Sequence, residues 1–427
     1  EDSLGRRARA FHLLGEVDDL RGDMDKARSA FDEANQSTEE LLRRAPGDGQ
    51  RIFNHAQSVF WVGYLDWRLG NYEGAHSAFS EYVSLSKQLI SIDPDNIAWL
   101  AEFGHSNINL GVYNFETGLP SEAIFYFDKA RSIFEEAIER EPENGEWPEM
   151  VAQALAWSAD ANRISGFLKT AMDYRLAEAE IYRDIVERNP DNHTVNRYLI
   201  ASHRARASMS LDMGDVDTAI GNLREARQYG NSLLALDPDN TLTVFLTASV
   251  HTNLAESLIY KSMLQEATLE LDRSVQLTDD LVSRDGDVLE WNLLRQTISL
   301  QQNRHLLTMG ETETAAAGFR SAKSQLQQLV NDNPDAKLAR HLLARYPVPE
   351  FMDAAWFAPA SDGESQQEWF IHIGKGKNIR TATIPIKLTK RMAHRFLDAP
   401  EDYSIPHALR WAQIMGFGGD QELADHI

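Results

Sequence analysis

Apolar residues recur along this chain at the spacing of an α-helix. Ala75, Ala78, Phe79 and Tyr82 fall at i, i+3, i+4 and i+7, which places all four on one stripe. Such stretches run to about 20 residues, roughly 30 Å of helix at 1.5 Å rise per residue, and each ends at a backbone breaker. One set of breakers is Pro46, Pro94, Pro142, Pro190, Pro238, Gly286 and Pro334; a second is Gly22, Gly70, Gly118, Gly166, Gly214, Ser262 and Gly310. Both recur every 48 residues, and the same spacing carries Ala27, Ala75, Ala123, Ala171, Ala219, Ala267 and Ala315. Proline forbids helix continuation and glycine supplies a tight turn, so two breakers half a period apart predict one helical hairpin per unit. Asp93-Pro94-Asp95-Asn96, Pro190-Asp191-Asn192 and Asp237-Pro238-Asp239-Asn240 put capping side chains just ahead of the next helix.

Two further series predict how hairpins pack. Gly15, Gly63, Gly111, Ala159, Ala207 and Ala255 recur in the first helix, where a missing side chain admits a neighbouring helix; Asn303 breaks the series in the last copy. Phe31, Phe79, Phe127 and Phe319, with Leu223 and Leu271, supply bulk in the second helix, and Arg175 interrupts them in the fourth copy. Trp99, Trp147 and Trp291 share one phase at the starts of first helices and read as core.

The order small residue, turn glycine, Ala, Phe four later, then Pro, as in Gly63, Gly70, Ala75, Phe79 and Pro94, resembles the tetratricopeptide repeat over residues 1 to 346. It differs from that family in its longer period and in having Val59, Asn107 and Leu155 where Phe11 supplies the early aromatic. The resemblance implies an all-α, right-handed α-solenoid of seven helical hairpins whose first helices line a concave surface. Long-helix arrays of this kind are similar to those of large bacterial signalling proteins carrying nucleotide-binding switch, kinase or TIR modules.

After a short closing helix over 337–345, Pro347-Val348-Pro349 stops the array. Residues 347–366 read as a linker and 367–427 as a small α+β segment. In that segment, 368–373 and 380–388 have alternating, β-branched character around Gly374-Lys375-Gly376-Lys377-Asn378, which predicts a β-hairpin followed by helices at 389–397 and 405–415.

Composition narrows the function. The chain has 427 residues, no Cys and a net charge of −23. Lack of Cys excludes disulfides, thiolate metal sites and thiol nucleophiles. The acidic excess argues against a nucleic-acid partner, because a phosphate-tracking surface needs clustered Lys and Arg. No apolar run approaches the length of a membrane span and no signal segment opens the chain, so a cytoplasmic setting is expected. Basic residues do concentrate in 371–410, which is open to three readings: docking of the tail on the acidic array, plain solvated charge, or a nucleic-acid partner.

Chemistry is sparse. Gly374-Lys375-Gly376-Lys377 lacks the spacing and the Ser/Thr of a phosphate loop and reads as a hairpin turn. His372, His394 and His407 are the nearest approach to a histidine cluster, with no metal-ligand spacing. Asn192-His193-Thr194 fits a glycosylation sequon but reads as a helix cap. No catalytic motif is present, so no enzyme activity and no cofactor are expected.

What remains is a surface for a protein or peptide partner. The resemblance places Tyr64, Trp67, His105, Phe115, Arg163 and Arg204 along the concave face, aromatics beside arginines, a mixture suited to a segment with an apolar anchor and a carboxylate. Two readings stand for Tyr64, Trp67 and Phe115, recognition or inter-helix packing, and two for Arg163 and Arg204, recognition or ion pairing within the scaffold. The expected function is a protein-interaction scaffold. The alternative is a sensory or regulatory region of a larger signalling protein, favoured by a chain that opens at Glu1 inside the first hairpin.

Overall fold

The computed structural model describes residues 2–21, 23–333, 339, 342–343, 357–359, 369–373 and 380–384. Those residues include fourteen helices in two compact units, Glu1–Ile181 and Tyr182–Ile427. The first unit holds α1 (Asp2–Leu20), α2 (Met24–Arg44), α3 (Gly49–Arg68), α4 (Tyr72–Ile92), α5 (Ile97–Glu116), α6 (Pro120–Arg140) and α7 (Glu146–Ile164). The division between units falls inside α8 (Leu168–Arg188). The second unit continues with α9 (His193–Asp212), α10 (Val216–Leu236), α11 (Thr241–Tyr260), α12 (Leu264–Arg284), α13 (Leu289–Thr308) and α14 (Thr312–Asp332). From α1 to α7, and again from α9 to α14, each helix packs on the next.

One turn geometry closes six of the hairpins. Gly70, Gly118, Gly166, Gly214 and Gly310 all adopt positive φ, between 78° and 89°, and Ser262 does so at 57°. Around Gly70, the Gly70 N–H donates to the Trp67 carbonyl at 3.1 Å and the Asn71 N–H donates to the Asp66 carbonyl at 2.8 Å. This pair of bonds satisfies carbonyls that the end of α3 would otherwise orphan. Asn71 then caps α4 by accepting from the Gly74 N–H. Two residues, Leu69 and Gly70, therefore separate the end of α3 from the cap of α4. Gly22 lies outside the described residues. Asn96, Asn192 and Asn240 cap α5, α9 and α11 through their side-chain oxygens, so the cap reading of Asn192 holds. Ser262 bears a side chain in the left-handed region, which costs a non-glycine residue about 1–2 kcal/mol. Ser262→Gly should recover about 0.5–1 kcal/mol after the entropy lost to glycine, measured as a higher urea midpoint.

The packing series meet as pairs. A Cβ on Gly15 would lie 2.6 Å from the Phe31 ring, and one on Gly111 would lie 2.5 Å from that of Phe127. Each first-helix glycine thus makes room for the second-helix phenylalanine of its own hairpin. All seven alanines of the second-helix series are fully buried. Asn303 is accommodated by the reverse exchange: the small residue has moved to the second helix, where Gly318 leaves the space that Asn303 fills. Trp147 is buried, the Trp99 ring takes the space a Gly49 side chain would need, and Trp291 packs against the cluster of Val244, Ala248, Leu277, Leu281, Leu294 and Ile298.

Arg175 has a structural explanation that the sequence did not supply. Its guanidinium is buried; Nη2 donates to Asp160 Oδ1 at 2.7 Å, and Nη1 to the two Glu178 oxygens at 2.9 and 3.1 Å. Glu178 is buried too. Burial alone would lower the pKa of Arg175; the carboxylates of Asp160 and Glu178 outweigh it and raise the pKa. An ion pair stands where the other hairpins have a phenylalanine or a leucine.

After α14, Ala339 and Leu342 are buried in one cluster with its Phe319, Ala322 and Leu326. Three strands follow, β1 (Phe357–Pro359), β2 (Trp369–Ile373) and β3 (Arg380–Ile384), in an antiparallel sheet of order β1-β2-β3. The β2–β3 hairpin matches the sequence reading, with Ile373 opposite Arg380. Strand β1 falls in the stretch read as linker, because three residues are too few to show alternation. The expected helices at 389–397 and 405–415, and the docking of the tail, fall outside the described residues.

Candidate functional site

First helices of successive hairpins touch: α3 meets α5 and α5 meets α7 in the first unit, and α9 meets α11 and α11 meets α13 in the second. Tyr64 and Trp67, three residues apart on α3, come together with ring centroids 6.3 Å apart. Tyr64 also contacts Phe60 and Trp61, at 6.2 and 5.5 Å. Arg68 lies over its ring at 5.5 Å, and Arg68 Nη1 donates to its hydroxyl at 3.2 Å. Trp67 is half-buried and packs on Ala75, Phe79, Leu110 and Tyr113.

His105 and Phe115 both sit on α5 but are three turns apart and do not meet. The His105 ring lies edge-on to Phe134 at 5.2 Å, and burial lowers its pKa, so it is a neutral imidazole at pH 7. Phe115 is half-buried and packs edge-on against Trp157 at 5.7 Å. Trp157 in turn stacks on Phe127. Arg163, in the last turn of α7, is half-buried and already makes an interaction of its own.

Arg204 belongs to the second unit, on α9. Its Nε donates to the Asn253 side-chain oxygen on α11 at 3.3 Å. Burial pushes its pKa down to about 10. The residue keeps some exposed surface while its guanidinium is largely desolvated.

Sequence reasoning missed several polar groups beside these. Glu102 of α5 is buried and accepts hydrogen bonds from the Tyr82 hydroxyl and the Gln57 amide. Burial raises its pKa, against the two donors. Nothing in the pattern marks Glu102 among the many helical acids. In the second unit, Glu270 bonds His251 and Arg227; burial would raise its pKa, but those two partners bring it below the usual value. Arg304 Nη1 on α13 donates to Glu256 Oε1 on α11 at 3.2 Å. That pair carried a readable signal, since Glu256 and Arg304 occupy the same position in adjacent copies.

Among the described residues no three metal-ligating side chains converge, and no helix is long and apolar enough to cross a membrane. No protein-family model matches the chain, and no curated protein matches it. Solved structures do. The apo form of RapI is similar at 13% identity and a TM-score of 0.51, with 99% of this chain and 94% of that chain covered. Aspartyl phosphate phosphatase F from Bacillus subtilis is similar at 14% identity and a TM-score of 0.45, covering 100% of this chain and 92% of that one. A tetratricopeptide repeat protein from Parabacteroides merdae gives 15% identity, a TM-score of 0.40, and coverage of 79% and 98%. With its tandem hairpins, its series of turn glycines and its likeness in fold to RapI, the chain has the fold of a tetratricopeptide-type helical repeat array.

Proposed function

We propose that this protein is a protein-interaction scaffold whose first-helix face holds a segment of a partner protein, without catalysis of its own. The observation that carries this reading is Arg204. Its guanidinium is desolvated, and its hydrogen bond goes to an amide oxygen rather than a carboxylate. A cation in such a setting gains most from an incoming carboxylate, which can take two parallel N–H donors at once. In the first unit, Tyr64, Trp67 and Phe115 are half-buried, with one side held in the scaffold, and serve as apolar anchors. His105 and Arg163 supply polar contacts beside them. The positions of the last two hairpins that correspond to His105 and Arg204 carry Ser249, Thr297, Thr252 and Leu300, which offer neither large aromatics nor a comparable aromatic–arginine combination.

A random peptide library panned on the full chain tests this. Selected peptides should carry a large apolar residue, for the anchors of the first unit, or an acidic one, for Arg204 of the second. Trp67→Ala should weaken them by about thirtyfold, the cost of truncating an anchor worth about 2 kcal/mol, with the melting temperature retained. Arg204→Gln should weaken acidic peptides and spare neutral ones. If Trp67→Ala lowers the melting temperature while the folded protein binds as before, and Arg204→Gln changes nothing, these residues are scaffold and the reading fails.

A further inference from the structure

One buried charge of the first unit has no counter-charge. Glu102 of α5 is 7% exposed, and both of its hydrogen bonds fall on one oxygen: the Tyr82 hydroxyl donates to Oε1 at 2.5 Å, and the Gln57 amide donates to the same atom. Oε2 has no hydrogen-bond or ion-pair partner among the described residues. Asp66, Glu178, Glu256 and Glu270 are buried too, but each of them faces an arginine. A carboxylate buried without a cation costs stability. The fold does not require an acid at this place, because the same position of the second and of the fourth to seventh hairpins carries Asn54, Met150, Tyr198, Leu246 and Leu294.

We propose that Glu102 receives a cationic side chain of the partner segment, an arginine guanidinium by preference, where α3 meets α5. The inference rests on the proposed first-helix binding face and adds a charge requirement to its first unit. Glu102 lies one turn before His105 on α5, and Gln57, which reaches it from α3, holds in its own hairpin the position that His105 holds in the next. Gln57 is half-buried, which puts the acid one side chain from solvent. Phe53 and Phe60 lie one turn to either side of Gln57 on α3; both are half-buried, and the Phe60 ring is 5.6 Å from that of Tyr82. Arginine suits an acid bordered by aromatic rings better than lysine does. Its guanidinium keeps its charge when desolvated, and its flat face stacks on a ring while its edge donates to a carboxylate. Tyr82 and Gln57 already hold Oε1, so Oε2 is the oxygen left for the newcomer. Burial raises the pKa of Glu102 against those two donors. A third, charged donor acts in the same sense as they do, so a partner's arginine relieves what the free protein carries unrelieved.

The test is to pan one random decapeptide library in parallel on the full chain and on its Glu102→Gln variant. Glutamine keeps an oxygen for Tyr82 and Gln57 and removes the charge, so the variant should melt at or above the wild-type temperature. The net charge of −23 favours basic peptides in general, so the difference between the two selections decides, not enrichment alone. Wild type should enrich peptides with arginine at a fixed distance from a large apolar residue, and the variant should not. Acidic peptides, selected through Arg204, should appear in both. Replacing the enriched arginine by citrulline, which has the same shape and no charge, should weaken binding to wild type by about thirtyfold or more and leave binding to Glu102→Gln unchanged. Arginine enriched equally by both proteins, or a citrulline effect of the same size on both, overturns this inference and leaves the first-helix face standing. A variant that melts well below wild type overturns it as well, since the scaffold then needs the charge for itself. A library that enriches nothing on either protein overturns it together with the reading beneath it.

Discussion

Arg175→Ala should destabilise the protein by about 3–5 kcal/mol, because it leaves Glu178 as a buried carboxylate without its principal counter-charge. The wild-type pair is not itself a large source of stability, since two desolvated charges recover little more than the cost of removing them from water. The expected loss comes from breaking the pair rather than from forgoing it. Arg175→Met combined with Glu178→Leu should therefore lie within about 1 kcal/mol of wild type or above it, as an apolar fill of similar volume. Urea denaturation of the full chain, followed by circular dichroism, reads both. If Arg175→Ala costs under 1 kcal/mol, the guanidinium is not holding Glu178 in the interior.

Phe127→Ala should cost about 3–5 kcal/mol, the usual penalty for deleting a fully buried ring. Here the deletion has a specific complement. The ring occupies the space a side chain on Gly111 would take. Gly111→Leu in the wild type should overpack the contact and cost about 1–3 kcal/mol. In the Phe127→Ala background the same leucine enters the vacated volume, and the double variant should be more stable than Phe127→Ala alone. Simple additivity of the two losses would show that ring and glycine do not share a site.

The hairpins were legible because turn chemistry and helical periodicity are properties of one chain segment. Every described member of the second breaker series sits at positive φ, Ser262 included, and the asparagines that precede α5, α9 and α11 cap them as their spacing implied. Contacts across helices were less legible. Periodicity says which residues share a face, whereas Arg175 with Asp160, or Asn303 with Gly318, depends on how far each helix is turned against its neighbour. The acid Glu102 was invisible for a related reason: its burial follows from Gln57 and Tyr82 reaching it from two other helices. At the site, the sequence grouped six residues along one face. The structure joins Tyr64 with Trp67, separates His105 from Phe115 along α5, and distributes Arg163 and Arg204 between two units.

The tight two-residue turn at Leu69-Gly70, with its counterparts, constrains how this chain can change length. An extra amino acid there would rotate the following helix by about 100° about its own axis, carrying Ala75 and Phe79 off the interface and charged residues onto it. A deletion would do the same in the opposite sense. Insertions and deletions in relatives with this register should accordingly fall in the exposed stretches between hairpins, such as Asp93–Asp95 or Asp237–Asp239, or remove and add whole hairpins. Those same stretches are where an epitope or a fluorescent reporter can be placed with least damage to the fold.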